Sequence, residues 1–151
     1  MKIYIGADHQ GYDLKEAVFA YLAKRGYDAE SVGEDHLDPA DDFPIFAQAT
    51  ALRVLGSDDS DPRGILICGS GQGMAMAANR FRGIRAGVVW DAHEAKMVRN
   101  DLDSNVLCLP ARVFTGEDDS SWEGVLETWL SAPFAGAVRF RRRNAELDEL
   151  S

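Results

Sequence analysis

Apolar residues follow two spacings along the chain, and their alternation predicts a repeating strand–helix fold. Lys2–Ala7 is a short apolar run, after which Leu14, Ala17, Val18, Tyr21 and Leu22 recur at helical spacing until Gly26 ends the segment. Asp28–Val32 reads as a weaker strand, and Phe43–Leu55 is helical again through Phe46, Ala49 and Val54. Three compact runs without polar alternation, Gly64–Cys68, Ile84–Val89 and Val106–Leu109, predict strands buried on both faces. Helical patterns over Met74–Arg80, Ala92–Asp101, Trp122–Leu130 and Ala137–Leu150 complete the order. The alternation predicts an α/β fold: a three-layer, Rossmann-like open parallel sheet of about five strands, with right-handed crossovers and helices on both faces.

Ligands of such sheets bind beyond the carboxyl ends of the strands. Three places follow from that rule: Asp8 and His9 after the first strand, Cys68–Gly73 after the third, and the region before Asn105. The loops Gly33–Asp42 and Gly56–Arg63 are acidic and of ordinary length, and no repeat or linker interrupts the pattern.

Composition narrows this picture. The 151 residues, 46% of them hydrophobic, suit a single domain over 1–151 with one substantial core around the sheet. No apolar run approaches the roughly 20 residues of a membrane span, and MKIYIGADH lacks the zones of a signal peptide, so a soluble cytoplasmic protein without a membrane partner is expected. The two cysteines, Cys68 and Cys108, sit inside apolar runs, which argues against a disulfide framework. A net charge of −9 opposes nucleic-acid binding, although Arg139, Arg141, Arg142 and Arg143 form a basic cluster suited to a local anion site.

The run Gly64-Ile-Leu-Ile-Cys68-Gly-Ser-Gly-Gln-Gly73-Met carries the most chemistry. Glycines 69, 71 and 73 let the backbone turn tightly at a strand end, so that successive N–H groups can face one anion near a helix start. The alternative is a plain strand-to-helix turn. Cys68 is either a small core residue or, beside such N–H groups, a stabilised thiolate; Cys108 lacks the loop and reads as core. Ser70 places a hydroxyl at the loop's centre. Asp8 and His9 are suited to hold sugar hydroxyls or a phosphate, while Asp8 is equally suited to cap the next helix. His36 and His93 read as exposed rather than catalytic, and three scattered histidines make no metal motif. Arg139 and Arg143, four apart, share one face of the last helix, where they form either a phosphate clamp or a solvated or dimer-facing patch; Arg112 is a third candidate for the same anion.

Taken together, Gly6-Ala-Asp8-His9 with Gly11-Tyr-Asp-Leu-Lys15, Asp42-Phe-Pro44, the Gly64–Gly73 run, Ala77-Ala-Asn79, Gly83-Ile-Arg85-Ala, Asn105-Val, Arg112-Val, and Arg139 with Arg143 resemble the ribose-5-phosphate isomerase B and galactose-6-phosphate isomerase group over nearly the whole chain. The resemblance implies a five-stranded Rossmann-like subunit that forms a homodimer or a dimer of dimers with shared active sites, and that uses no metal or organic cofactor. It implies aldose–ketose isomerisation through an enediolate, with Cys68 as base, Ser70 in ring opening and Gly69–Gly73, Gln72 included, stabilising the enediolate oxygens. It further implies that Asp8 and His9 bind the phosphorylated sugar and that Arg112, Arg139 and Arg143 bind its phosphate, giving the helix over 137–150 a place in the phosphate site or the dimer.

One segment departs from the resemblance. Members with ribose 5-phosphate as substrate usually carry Arg-x-His-Asn-x-x-Asn before the last strand, whereas this chain has Arg99-Asn-Asp101-Leu102-Asp-Ser-Asn105. Asp101 thus stands where a ring-opening histidine is expected, and an acidic residue followed by leucine resembles the B subunit of galactose-6-phosphate isomerase. An aspartate in water is ionised at neutral pH, whereas imidazole can donate there. Ribose 5-phosphate remains the default substrate, with a galactose-6-phosphate or tetrose-phosphate isomerase as alternatives, and a non-catalytic sugar-phosphate-binding subunit as a further one. A nucleotide-binding module is disfavoured because a dinucleotide fingerprint belongs after the first strand, not the third.

Overall fold

The computed structural model describes residues 1–33, 35–114 and 121–150; Glu34 of the acidic 33–42 loop lies outside them. Five strands alternate with helices: β1 (Lys2–Ala7), α1 (Tyr12–Lys24), β2 (Asp28–Val32), α2 (Phe43–Leu55), β3 (Arg63–Cys68), α3 (Gln72–Ala78), β4 (Ala86–Val88), α4 (Ala92–Leu102) and β5 (Val106–Pro110). A 3₁₀ turn at Ala111–Val113, α5 (Trp122–Ser131) and α6 (Val138–Glu149) complete the described chain. All strand pairs are parallel, in the order β2-β1-β3-β5-β4. Among the described residues no helix is long and apolar enough to cross a membrane.

Strand order and crossover handedness together assign each helix to a face. Right-handed connections that step one way along a sheet lie on one face, and those that step back lie on the other. The β1–β2 and β4–β5 steps run one way and the β2–β3 and β3–β4 steps the other, so α1 and α4 share a face opposite α2 and α3. Side chains alternate accordingly. Ile3, Ile5, Ile65, Ile67, Leu107 and Leu109 pack with Val18 and Leu22 of α1, Ala95 of α4, and Leu126 and Trp129 of α5. Tyr4, Leu66, Cys68, Val106 and Cys108 pack with Phe46, Ala47 and Ala51 of α2 and Met74 and Ala78 of α3. Each fully buried aliphatic side chain contributes about 1.5–3 kcal/mol, which makes the three central strands the anchor of both cores.

Strand β4 corrects the expectation of burial on both faces: Ala86, Gly87 and Val88 are only half-buried, because β4 is an edge strand with one neighbour. Ile84 and Val89 of the same apolar run are buried, but they flank the strand. Arg85 and Val89 bond toward β5, which turns the peptide groups of Ala86 outward. Asn79 covers them: its Oδ1 accepts the Ala86 N–H at 2.8 Å, and its Nδ2 donates to the Ala86 carbonyl at 2.9 Å. The amide mimics one residue of a missing strand and blunts the sheet edge. Asn79→Ala is expected to lower the free energy of unfolding by about 1 kcal/mol in urea titration; unchanged stability would show that the edge needs no cover.

Candidate active site

The loops that leave β1 and β3 meet at the switch in strand order. Ala7 pairs with Ile67, and the Asp8 N–H donates to the Ile67 carbonyl at 3.3 Å, so Asp8 and Cys68 emerge side by side. A shallow cavity of about 150 Å³ opens there, lined by Asp8, Gln10, Phe43, Cys68, Gly69, Ser70, Gly73 and Arg112.

Cys68, the last residue of β3, is only 6% exposed. The Gly71 N–H donates to its Sγ at 3.1 Å, and the Gln72 N–H donates to Ser70 Oγ at 3.3 Å. Gly71 holds a φ of 73°, in the left-handed region where a Cβ is costly, and this conformation lets the chain enter α3 directly after the N–H that meets the sulfur. A Cβ on Gly69 would run into Gln10 Oε1 and the Arg112 guanidinium, so glycine there admits both groups to the cavity wall. Arg112 follows β5 in the 3₁₀ turn; its N–H donates to the Gly69 carbonyl at 3.1 Å, and its Nη2 donates to Gln10 Oε1 at 2.6 Å. Cys108, by contrast, is fully buried two residues before the end of β5, and burial pushes its thiol far up from the ordinary value.

Asp8 does not cap α1, whose N-cap is Gly11. Its Oδ1 accepts the N–H groups of Gln10 and Gly11 at 3.0 and 3.1 Å, which fixes the turn before the helix. Burial raises the Asp8 carboxyl above the usual range, with these two bonds pulling the other way. His9 Nδ1 lies 2.7 Å from Asp41 Oδ1, an oxygen that also accepts the His9 backbone N–H at 3.1 Å. The hydrogen bond to Asp41 raises the imidazole above its ordinary value, and the charges of Asp41, Asp8 and Asp38 add to it. The protonated ring therefore adds stability below the unfolded value of about 6.5, and this is lost as pH rises through the raised folded value.

Asp8, Cys68, Gly69, Ser70, Gly73 and Arg112 thus line one cavity, with His9, Gly71 and Gln72 beside it. The structure does not bring Asp101, Arg139 or Arg143 there. Helix α4 runs back from the carboxyl end of β4 to the amino end of β5, so Asp101 and Asn105 stand at the opposite end of the sheet, a correction to the expectation that the region before Asn105 adjoins the strands' carboxyl ends. Asn105 there serves as a clamp, accepting the Arg85 N–H and donating to the Gly83 carbonyl, both at 2.8 Å. Asp101 lines a separate depression of about 230 Å³ along α4 with Val88, Glu94 and Leu102. The Ala135 N–H donates to the Asn100 carbonyl, so α6 starts at the same end, with Arg139 and Arg143 exposed on it. Gln10, Asp41 and Phe43 were not singled out by sequence: Phe43 lies within a motif quoted above and Gln10 between two of them, whereas nothing distinguishes Asp41 from its acidic neighbours.

A thiol beneath an amide-rich turn at the switch of a doubly wound sheet defines a small-molecule site of the Rossmann-like α/β class. More narrowly, residues 3–147 match the Ribose/Galactose Isomerase family, and the chain belongs to it. It is 37% identical to a probable ribose-5-phosphate isomerase B of Mycoplasma pneumoniae over 93% of this chain and 89% of that one. It is 36% identical to ribose-5-phosphate isomerase B of Escherichia coli over 95% and 93%. The structure of ribose-5-phosphate isomerase B from Clostridium thermocellum superimposes with a TM-score of 0.89 at 39% identity, covering 99% of this chain and 97% of that one. The enzyme from Mycoplasma genitalium, solved with bound ribulose-5-phosphate, gives 0.87 at 33% identity, covering 99% and 95%.

The difference between the two thiols is directly measurable. Iodoacetamide is expected to modify Cys68 well before Cys108, as followed by peptide mass spectrometry of the folded protein; equal rates would contradict the placement of Cys108 in the sealed core.

Proposed function

We propose that this chain is an aldose–ketose isomerase that interconverts ribose 5-phosphate and ribulose 5-phosphate, with Cys68 as the base. The observation that carries the reading is the Gly71 N–H directed at Cys68 Sγ inside a cavity that also holds Ser70 and Arg112. The names of the relatives, and the ribulose-5-phosphate bound to one of them, supply the substrate.

The reaction begins when the Cys68 thiolate takes the C2 proton of the open-chain aldose. The electron pair moves into a C1–C2 double bond, and negative charge builds on O1 as an enediolate. A proton passes from O2 to O1, the Cys68 thiol returns its proton to C1, and the ketone forms at C2. Both electrons stay within the substrate, so the step calls for no redox cofactor. Preorganised donors of the 69–73 loop are suited to the developing charge. Arg112, already fixed against Gln10, is suited to the phosphate.

A second copy of the chain completes the site in this reading. Asp101, Arg139 and Arg143 stand at the end of the subunit away from Cys68, and a two-fold pairing would bring them to the partner's cavity twice over. Exposed Ile45, Leu52 and Leu55 on α2, with Met76 on α3, offer apolar surface on the outer side of these two helices for such a pairing.

Cys68→Ser should keep the fold by circular dichroism yet lose roughly 10²–10⁴-fold in kcat with ribose 5-phosphate, since a hydroxyl cannot supply an anionic base. Wild-type turnover in that variant would remove Cys68 from the mechanism. Arg112→Ala should chiefly raise KM, by roughly tenfold or more; an unchanged KM would assign the phosphate to other residues.

A further inference from the structure

His9 adjoins the cavity between Asp8 and Gln10, and a single carboxylate grips it twice. Asp41 Oδ1 accepts the His9 backbone N–H and pairs with ring Nδ1. Asp8 and Gln10, on either side of His9, both line the cavity, as does Phe43 two residues after Asp41. The Asp41 side chain is 12% exposed and that of His9 31%, so the carboxylate is sheltered while the ring keeps an open side. Neither the isomerase reading nor the resemblance behind it gives Asp41 a role.

We propose that Asp41 is a positioning residue: it holds His9 so that Nδ1–H is spent on the carboxylate and Nε2–H is donated to an oxygen of the bound sugar phosphate. The proposal rests on the isomerase reading and adds to it. With Nδ1 fixed, the neutral ring carries its hydrogen on Nδ1 and presents a lone pair at Nε2, so only the imidazolium offers the substrate a donor. The charged groups that face His9 are Asp8 on its own turn and Asp38 and Asp41 on the loop before α2. Arg112, from the end of β5, stands beyond Gln10. Three carboxylates around one imidazole favour its protonated form, and burial alone opposes them. As pH rises through the raised His9 value, Nε2 loses its proton and substrate loses its donor. Asp41→Asn keeps an acceptor of the same shape and removes the charge, which moves that loss to lower pH.

The test follows the His9 ring nitrogens by NMR over pH in native, Asp41→Asn and Asp41→Glu chains, alongside the pH dependence of kcat/KM for ribose 5-phosphate. The expected results are a neutral ring protonated on Nδ1 in the native chain and a titration shifted to lower pH in Asp41→Asn. Its kcat/KM should fall roughly tenfold at pH 8 and less than about twofold at pH 6, with substantial recovery in Asp41→Glu. A His9 titration unmoved by Asp41→Asn, or an equal loss of kcat/KM at both pH values, would overturn the proposal. Absence of any turnover by the native chain, with the ring titration behaving as expected, would instead count against the isomerase reading.

Discussion

The parallel pairing of β1 with β3 sets Ala7 beside Ile67, and this register brings Asp8 and Cys68 together where their strands end. Helix α1 leaves β1 on one face and α3 leaves β3 on the other, so the two departing loops leave a crevice between them. Buried aliphatic residues on both faces of β1, β3 and β5 hold the strand ends in place. Local precision at the site therefore comes from a rigid sheet rather than from the loops alone.

Within that crevice the groups divide by task. The 69–73 turn directs one N–H at a sulfur, a contact that a thiolate accepts more strongly than a thiol. Asp8 spends an oxygen on the backbone of its own turn, Asp41 spends one on His9, and Gln10 spends its carbonyl on Arg112. Three polar side chains thus fix the groups around the cavity before any substrate enters, which is the condition for electrostatic stabilisation without reorganisation.

Periodicity in the sequence revealed nearly all of this scaffold, because a doubly covered parallel sheet writes its strands as unbroken apolar runs such as Gly64–Cys68 and Val106–Leu109. It failed at β4, since the run Ile84–Val89 records burial of the residues flanking a short edge strand, not of the strand itself. The glycine-rich turn and the position of Cys68 at the strand end before it were legible because glycines at that spacing after an apolar run mark a strand-to-helix turn. Asp41 was not: its partnership with His9 spans 32 residues and depends on how an acidic loop folds back, which no local pattern records. The placement of Asp101 and Asn105 was misread for a topological reason, since a crossover helix returns the chain to the amino end of the sheet before β5 begins.

Proton transfer through a cysteine is the core of the account, and exchange with solvent tests it directly. Ribose 5-phosphate brought to equilibrium with the native chain in deuterium oxide passes many times through an S–H that solvent can exchange. The account predicts ribulose 5-phosphate carrying one solvent-derived deuterium on C1, detected by NMR or mass spectrometry. Equilibration to ketose with no deuterium on carbon would indicate an internal hydride shift and contradict the enediolate, and no ketose at all would contradict the isomerase.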